Sequence, residues 1–170
     1  MNLLNGTRAK WAVYGLEIFL VYVLQSTPAL IPEIFGEKPM LVVICAVSIA
    51  LFEGDVTGMW FGLGAGLLLD TGSTAPFGFY GLMLLAVCFG CGTLVMYLMR
   101  NNAVTSLILG FASVLAVSTV QWLCFAQPQD GSDVSFFIVQ ILLPRCAYST
   151  VLMPLFYYFN RAITTRLYDE

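Results

Sequence analysis

Two pairs of residues in this chain have side chains that could do chemistry. Cys88 and Cys91 form a C-x-x-C pattern, which is typical of metal and redox sites. Glu17 and Arg145 are ionisable residues inside apolar runs, where each would cost about 2.5–3.5 kcal/mol at the centre of a bilayer. They would pair with each other or line a polar cavity for a ligand or proton. Alternatively, each side chain reaches the membrane surface or binds a backbone carbonyl that a proline frees.

Several residue patterns that are typical of enzyme active sites are missing from the sequence. It contains no histidine, which excludes Ser-His and Cys-His nucleophiles. It has no G-x-S-x-G pattern, no phosphate-binding glycine loop in the required context, and no helix with two carboxylates facing each other. All five cysteines lie in apolar runs, where cysteine commonly serves as a small apolar side chain. We therefore expect no enzymatic activity, no cofactor and no metal.

The composition indicates an all-α integral membrane protein with a single domain. Of the 170 residues, 59% are apolar and 10% are charged, against roughly 25% charged in an ordinary soluble domain. The mean hydropathy is +0.87. A soluble protein of this size could not bury so much apolar surface, so lipid must cover what the fold does not. The net charge of −3 is spread along the chain, and no basic patch suggests a nucleic-acid partner.

Six apolar segments predict a six-helix membrane bundle, with segments at 11–31, 39–52, 56–70, 78–99, 103–126 and 134–160. The second and third segments are short, since 14 residues of helix reach about 21 Å across a hydrocarbon core of about 30 Å. They are either tilted spans in a thinned membrane or a re-entrant hairpin packed inside the protein. The basic residues predict that both termini are cytoplasmic, because Lys38 alone lies on the other side from Arg8, Lys10, Arg100, Arg161 and Arg166.

Residues 54–66, which lead into the third segment, have glycine at every fourth position, at Gly54, Gly58, Gly62 and Gly66. Glycines at this spacing lie along one helix face and leave a groove that a second helix can enter. The sequence predicts helix docking on this face, by a helix of this chain or of another protein. Asp70 ends the same segment, where a carboxylate is unfavourable with the helix dipole. It therefore either caps the following turn or faces a partner.

Two stretches resemble the MreD family of rod-shape-determining proteins. Residues 52–82, FEGDVTGMWFGLGAGLLLDTGSTAPFGFYGL, are similar to its signature, in which a short glycine-spaced helix runs into Gly-Leu-Leu-x-Asp and a glycine-containing turn. Residues 142–161, LLPRCAYSTVLMPLFYYFNR, look like the last helix of the family. The matching positions are Gly58, Gly62, Gly66, Leu67, Leu68, Asp70 and Gly78, then Pro144, Thr150, Pro154, Leu155 and Tyr157, before a basic tail at Arg161 and Arg166.

The resemblance implies a non-enzymatic scaffold subunit of the complex that builds the lateral cell wall, in the bacterial plasma (inner) membrane. Its implied partners are the bitopic protein MreC, the actin-like filament protein MreB and, through them, peptidoglycan synthases, together with membrane lipid.

An alternative function is transport. MreD-like chains also look like the substrate-binding subunits of energy-coupling-factor vitamin transporters, which have six helices and an outward-facing pocket. Those subunits dock through an Ala-x-x-x-Ala in the first helix, whereas residues 11–31 contain only Ala12 and Ala29. A retained pocket would bind a lipid or wall precursor, with Glu17 and Arg145 as candidates to line it.

Overall fold

The computed structural model describes residues 3–27, 39–73, 75–98, 102–125 and 142–168, with side chains from Lys10 in the first helix to Thr165 in the last. These residues form α-helices and no strand, which confirms the all-α prediction for this part of the chain. The helices are α1 (Leu3–Ser26), α2 (Leu41–Glu53), α3 (Asp55–Thr71), α4 (Phe79–Tyr97), α5 (Ala103–Phe125) and α6 (Leu143–Tyr168).

The ends of the inner helices differ by at most two residues from the apolar segments at 39–52, 56–70, 78–99 and 103–126. The first and last helices differ more, since α1 begins at Leu3 and α6 continues to Tyr168. An apolar run in the sequence predicts only the part of a helix that lipid or protein covers. Both of these helices extend beyond that run into polar sequence. The parts of the predicted segments at 28–31 and 134–141 lie outside the described residues.

Successive helices run in alternating directions between the two ends of the bundle. At one end, the Lys10 ammonium pairs with the Glu53 carboxylate, and the Tyr14 hydroxyl lies 3.0 Å from Thr164 Oγ1. We call this the terminal end, because α1 begins there and α6 ends there. At the opposite end, the Tyr22 hydroxyl lies 2.9 Å from Thr71 Oγ1. The short α2–α3 hairpin therefore starts at the opposite end, turns at the terminal end and returns.

Helix α2 forms the centre of the bundle. It contacts α1, α3, α4, α5 and α6, and every residue from Leu41 to Leu51 is buried. The sequence LVVICAVSIAL explains this position, since a helix that is apolar all round must be enclosed on every side. Ser48 is the one polar side chain of this buried stretch, so it needs a hydrogen-bond partner from a neighbouring helix.

Candidate functional site

The glycine face of α3 is occupied by helices of the same chain. A Cβ atom added at Gly58 would lie 2.6 Å from Cα of Ala50 in α2, and one at Gly62 would lie 2.7 Å from the Leu84 carbonyl oxygen in α4. A Cβ at Gly66 would meet the Tyr80 carbonyl oxygen at the start of α4. Of the two occupants that the sequence left open, the contacts therefore show this chain's own helices. The expectation that a partner's helix docks on these three glycines is wrong, because no space is left for it.

Gly54 has a different function from the other glycines of the series. It is the single residue between α2 and α3 and has φ +85°, which side-chain-bearing residues rarely adopt. The nearest atom to an added Cβ would be the Met96 sulfur at 3.9 Å, so space alone does not require glycine there. The backbone of the turn does approach α4, since a Cβ added at Gly92 would lie 2.9 Å from the Gly54 carbonyl carbon. Gly54 therefore forms the tight turn of the hairpin, and its backbone packs against α4 of the same chain at Gly92.

Asp70 contacts the beginning of α4 rather than a partner. Its side chain is only 5% exposed. Oδ1 accepts a hydrogen bond from the Tyr80 N–H at 2.9 Å, while Oδ2 accepts from the N–H groups of Gly78 at 3.0 Å and Gly81 at 3.1 Å. These donors belong to the first turn of a helix, where no backbone acceptor is available and the helix dipole favours an anion. Of the two positions that the sequence leaves open for Asp70, these hydrogen bonds support the cap, which reaches across the turn to α4, rather than the partner-facing position.

Glu17 and Arg145 lie in different parts of the bundle, so the predicted pairing is wrong. Glu17 Oε1 lies 3.4 Å from the Nδ2 of Asn160, whereas Arg145 Nη1 lies 3.3 Å from Gln121 Oε1. Asn160 and Arg145 are 15 positions apart on α6 (160 − 145), which corresponds to about 22 Å along the helix. The two ionisable residues therefore belong to two separate polar sites.

The first polar site is a cavity of about 470 Å³ at the opposite end of the bundle, and Arg145 lines it. Arg145 follows Pro144 near the beginning of α6. The other lining residues come from α1, α3, α4, α5 and the segments beside α2 and α3: Tyr22, Gln25, Ser26, Met40, Leu69, Gly72, Ser73, Tyr80 and Gln121.

The lining of this cavity suits an anionic group. The guanidinium carries five N–H donors in a fixed plane, which matches the two oxygens of a carboxylate or phosphate. Hydroxyl and amide groups of Tyr22, Tyr80 and Gln121 surround the same space. Gln25 is held in place because its Oε1 accepts the Val42 N–H at 3.0 Å, at the start of α2. The cavity can therefore bind an anion through Arg145 and orient it with neutral polar groups.

The second polar site lies where α1, α2 and α6 meet, and the sequence analysis identified only one of its members. Asn160 Nδ2 donates to Ser48 Oγ at 3.0 Å and points to Glu17 Oε1 at 3.4 Å. All three residues are buried. Ser48 and Asn160 were not predicted, because a single serine is a small residue within an apolar helix and Asn160 ends the last apolar segment beside Arg161, where a polar residue is expected.

The two cysteines of the C-x-x-C pattern pack against neighbouring helices. Cys88 packs against Gly62, and Cys91 Sγ lies 3.3 Å from Ser113 Oγ, so the C-x-x-C residues contact helices on either side of α4. No group of three or more His, Cys, Asp or Glu residues that could hold a metal occurs in the described part of the chain.

By length and composition, Phe79–Tyr97 and Ala103–Phe125 could each cross a membrane, with a mean hydropathy of 2.0.

These features define a class of protein: an all-helical bundle around a buried short helix, with two apolar membrane-capable helices and a polar cavity at one end. The chain matches the family model described as rod shape-determining protein MreD over residues 8–163. The chain therefore belongs to the MreD family, as the resemblance in residues 52–82 and 142–161 predicts. No curated protein and no solved structure matches the chain, and the alternative function in vitamin transport receives no support.

Proposed function

We propose that this chain is a non-enzymatic scaffold subunit of the cell-wall elongation complex in the bacterial plasma membrane. Membership of a rod-shape-determining family supports this function. Large apolar side chains on the outside of α4, α5 and α6, such as Leu82, Val104 and Leu155, are suited to lipid contact. In this proposal all six helices lie in the membrane, with the terminal end in the cytoplasm, where the exposed Arg161 meets anionic lipid or filaments.

The proposed partner is a bitopic MreC-like protein, and its contact is the cavity lined by Arg145. The glycine face is filled by this chain, so a partner has to bind elsewhere. With the terminal end in the cytoplasm, the cavity opens on the outer side of the membrane. There it would receive a carboxylate from the segment that follows the partner's transmembrane helix. The observation that carries this proposal is the position of the Arg145 guanidinium in an open cavity of about 470 Å³.

The partners at the cytoplasmic side follow from the same arrangement. An MreB filament would bind directly to the basic terminal end or indirectly through the bitopic protein. Peptidoglycan synthases would join through the assembled complex. In this proposal the chain contributes no chemical step, and its function is to hold a partner's extracytoplasmic segment in one position.

The experiment compares Arg145→Gln with Arg161→Gln, the same substitution at an exposed position on the same helix at the other end. Each variant is co-expressed with the full-length bitopic partner and purified in a mild detergent. Removing one member of a buried charge pair typically costs about 2–5 kcal/mol, so Arg145→Gln should weaken co-purification at least about tenfold. Arg161→Gln should leave it unchanged, and both variants should accumulate equally in membranes.

A charge exchange tests whether the contact is direct. Arg145→Glu should abolish binding, and a lysine in place of the partner's acidic residue should restore it. Undiminished co-purification of both Arg145 variants would contradict the proposed contact. Equal losses for Arg145→Gln and Arg161→Gln would also contradict it, because the effect would then not depend on the cavity.

A further inference from the structure

The polar site between α1, α2 and α6 has an unusual hydrogen-bond arrangement. Glu17 is 7% exposed and Asn160 is fully buried. Asn160 Nδ2 points to Glu17 Oε1 at 3.4 Å, yet Glu17 Oε2 and Asn160 Oδ1 have no hydrogen-bond partner among the described residues. Both orphan atoms are acceptors, so neither can satisfy the other as long as the carboxyl group is ionised. A hydrogen atom on Glu17 Oε2 would supply the missing donor, since the amide oxygen of Asn160 can only accept.

The charges around the Glu17 carboxyl group also indicate that it needs a proton. Lys10 is on the same helix but pairs with Glu53, and Arg145 lies at the other end of α6. Among the described side chains, the titratable groups that face Glu17 are the Tyr14 hydroxyl from its own helix and the Cys45 thiol from α2, and α6 contributes the neutral Asn160. An ionised carboxylate buried there loses several kcal/mol of hydration, which the hydrogen bonds from the Asn160 amide and the Cys45 thiol offset only in part.

A metal cation does not suit this site. Calcium takes six to eight oxygen ligands, and even smaller hard cations are surrounded by oxygen atoms. Glu17, Ser48 and Asn160 together have only four side-chain oxygen atoms, fewer than such a cation needs. The Asn160 amide also places a donor nitrogen between Glu17 Oε1 and Ser48 Oγ, at 3.4 Å and 3.0 Å. A proton needs a single acceptor and is compatible with that donor.

We propose that Glu17 and Asn160 form a buried proton-binding site in which Glu17 is a neutral carboxylic acid. The acid and the amide form a closed ring of two hydrogen bonds. Asn160 Nδ2–H donates to Glu17 Oε1, and Glu17 Oε2–H donates to Asn160 Oδ1. The second amide hydrogen of Asn160 binds Ser48, so one proton joins α1, α2 and α6. Loss of that proton breaks the ring and leaves a charge in the core, which loosens α1 from α6.

Infrared difference spectroscopy tests the protonation state directly. The protein is purified in lipid nanodiscs at neutral pH, and the spectrum of Glu17→Gln is subtracted from that of the wild type. The difference should contain the C=O stretch of a protonated carboxylic acid, which shifts in heavy water. Glu53→Gln is the matched control, because Glu53 is paired with Lys10 and should contribute an ionised carboxylate instead. Absence of the acid band from the wild type would overturn the proposal.

Thermal unfolding separates a proton from the other possible occupants. Glutamine can form the same ring, since its amide donates to Asn160 Oδ1 and its carbonyl accepts from Nδ2. Glu17→Gln should therefore keep the unfolding temperature of the wild type, whereas Asn160→Leu should lower it by several degrees. An unfolding temperature that rises with sodium over choline at constant ionic strength, in the wild type but not in Glu17→Gln, would identify a metal cation and refute the proton site. Failure of Glu17→Gln to fold would refute it as well.

Discussion

Replacing Gly66 with alanine tests how α3 and α4 are held together. The added Cβ would meet the carbonyl oxygen of Tyr80 and lie 2.6 Å from Cα of Gly81. Both are backbone atoms in the first turn of α4, so neither can rotate away as a flexible side chain would. Carbon atoms in contact are normally about 3.5–4.0 Å apart. The start of α4 must therefore move away from α3 by about 1 Å to accommodate one methyl group.

The magnitude of the effect follows from three contributions. Overpacking typically destabilises a protein by about 1–3 kcal/mol. The same movement stretches the bonds from Asp70 to the first turn of α4, which are 2.9–3.1 Å long, and loss of a helix cap costs about 0.5–2 kcal/mol. The higher helix propensity of alanine offsets up to about 1 kcal/mol of this destabilisation. We expect a net destabilisation of about 1–4 kcal/mol, or roughly 2–4 °C of unfolding temperature per kcal/mol.

Gly64→Ala is the matched control for this measurement. Gly64 lies on the same helix, but no atom comes within 4 Å of the position of its added Cβ. This variant should unfold at the wild-type temperature or slightly above it, since it gains propensity without a clash. The assay is thermal unfolding of both variants, purified without partners in the same detergent. Equal unfolding temperatures for Gly66→Ala and Gly64→Ala would refute the packing argument.

Two further substitutions test the polar contacts that hold the helices. Asp70→Asn replaces one acceptor oxygen by a donor amide that faces backbone N–H groups, so it should lower the unfolding free energy by about 1–3 kcal/mol. Asp55→Asn at the start of α3 is its control and should lower it less, so equal losses would contradict the capping role of Asp70. Tyr14→Phe keeps the ring but removes the hydroxyl that contacts α2 and α6, so a loss of about 0.5–1.5 kcal/mol should appear in denaturant titrations. Tyr22→Phe, at an exposed bond, is its control, and a larger loss there would show that burial of the Tyr14 hydroxyl is not the cause.

The sequence predicts the helices well but not what the glycines contact. Glycines four residues apart create a groove by helix geometry alone, so their presence is readable from the sequence. The occupant is not, because a neighbouring helix of the chain and a partner's helix need the same groove. Asp70 shows a similar limit. Its position at the end of α3 looks unfavourable in isolation, and the fold makes it favourable by placing the first turn of α4 against it.

The predicted pairing of Glu17 with Arg145 failed for a reason of register. Sequence reveals the sign of each charge, whereas the depth of a residue depends on how antiparallel helices align. Tyr14 lies level with Thr164, and Glu17 lies level with Asn160. Arg145 is at the far end of the same helix and faces Gln121. When α1 and α6 are aligned as antiparallel helices from the terminal end, Glu17 falls opposite Asn160 and far from Arg145.

The position of α2 changes how the apolar composition has to be interpreted. Hydropathy does not distinguish a side chain covered by lipid from one covered by protein, and α2 is covered by protein on every side. Its 13 residues, about 20 Å long, therefore need not match the thickness of a bilayer. The length requirement applies to helices with an outward apolar face, and α4 and α5 both meet it. In the proposed membrane orientation, the short central helix leaves room at the opposite end of the bundle, where the cavity lined by Arg145 begins beside Met40.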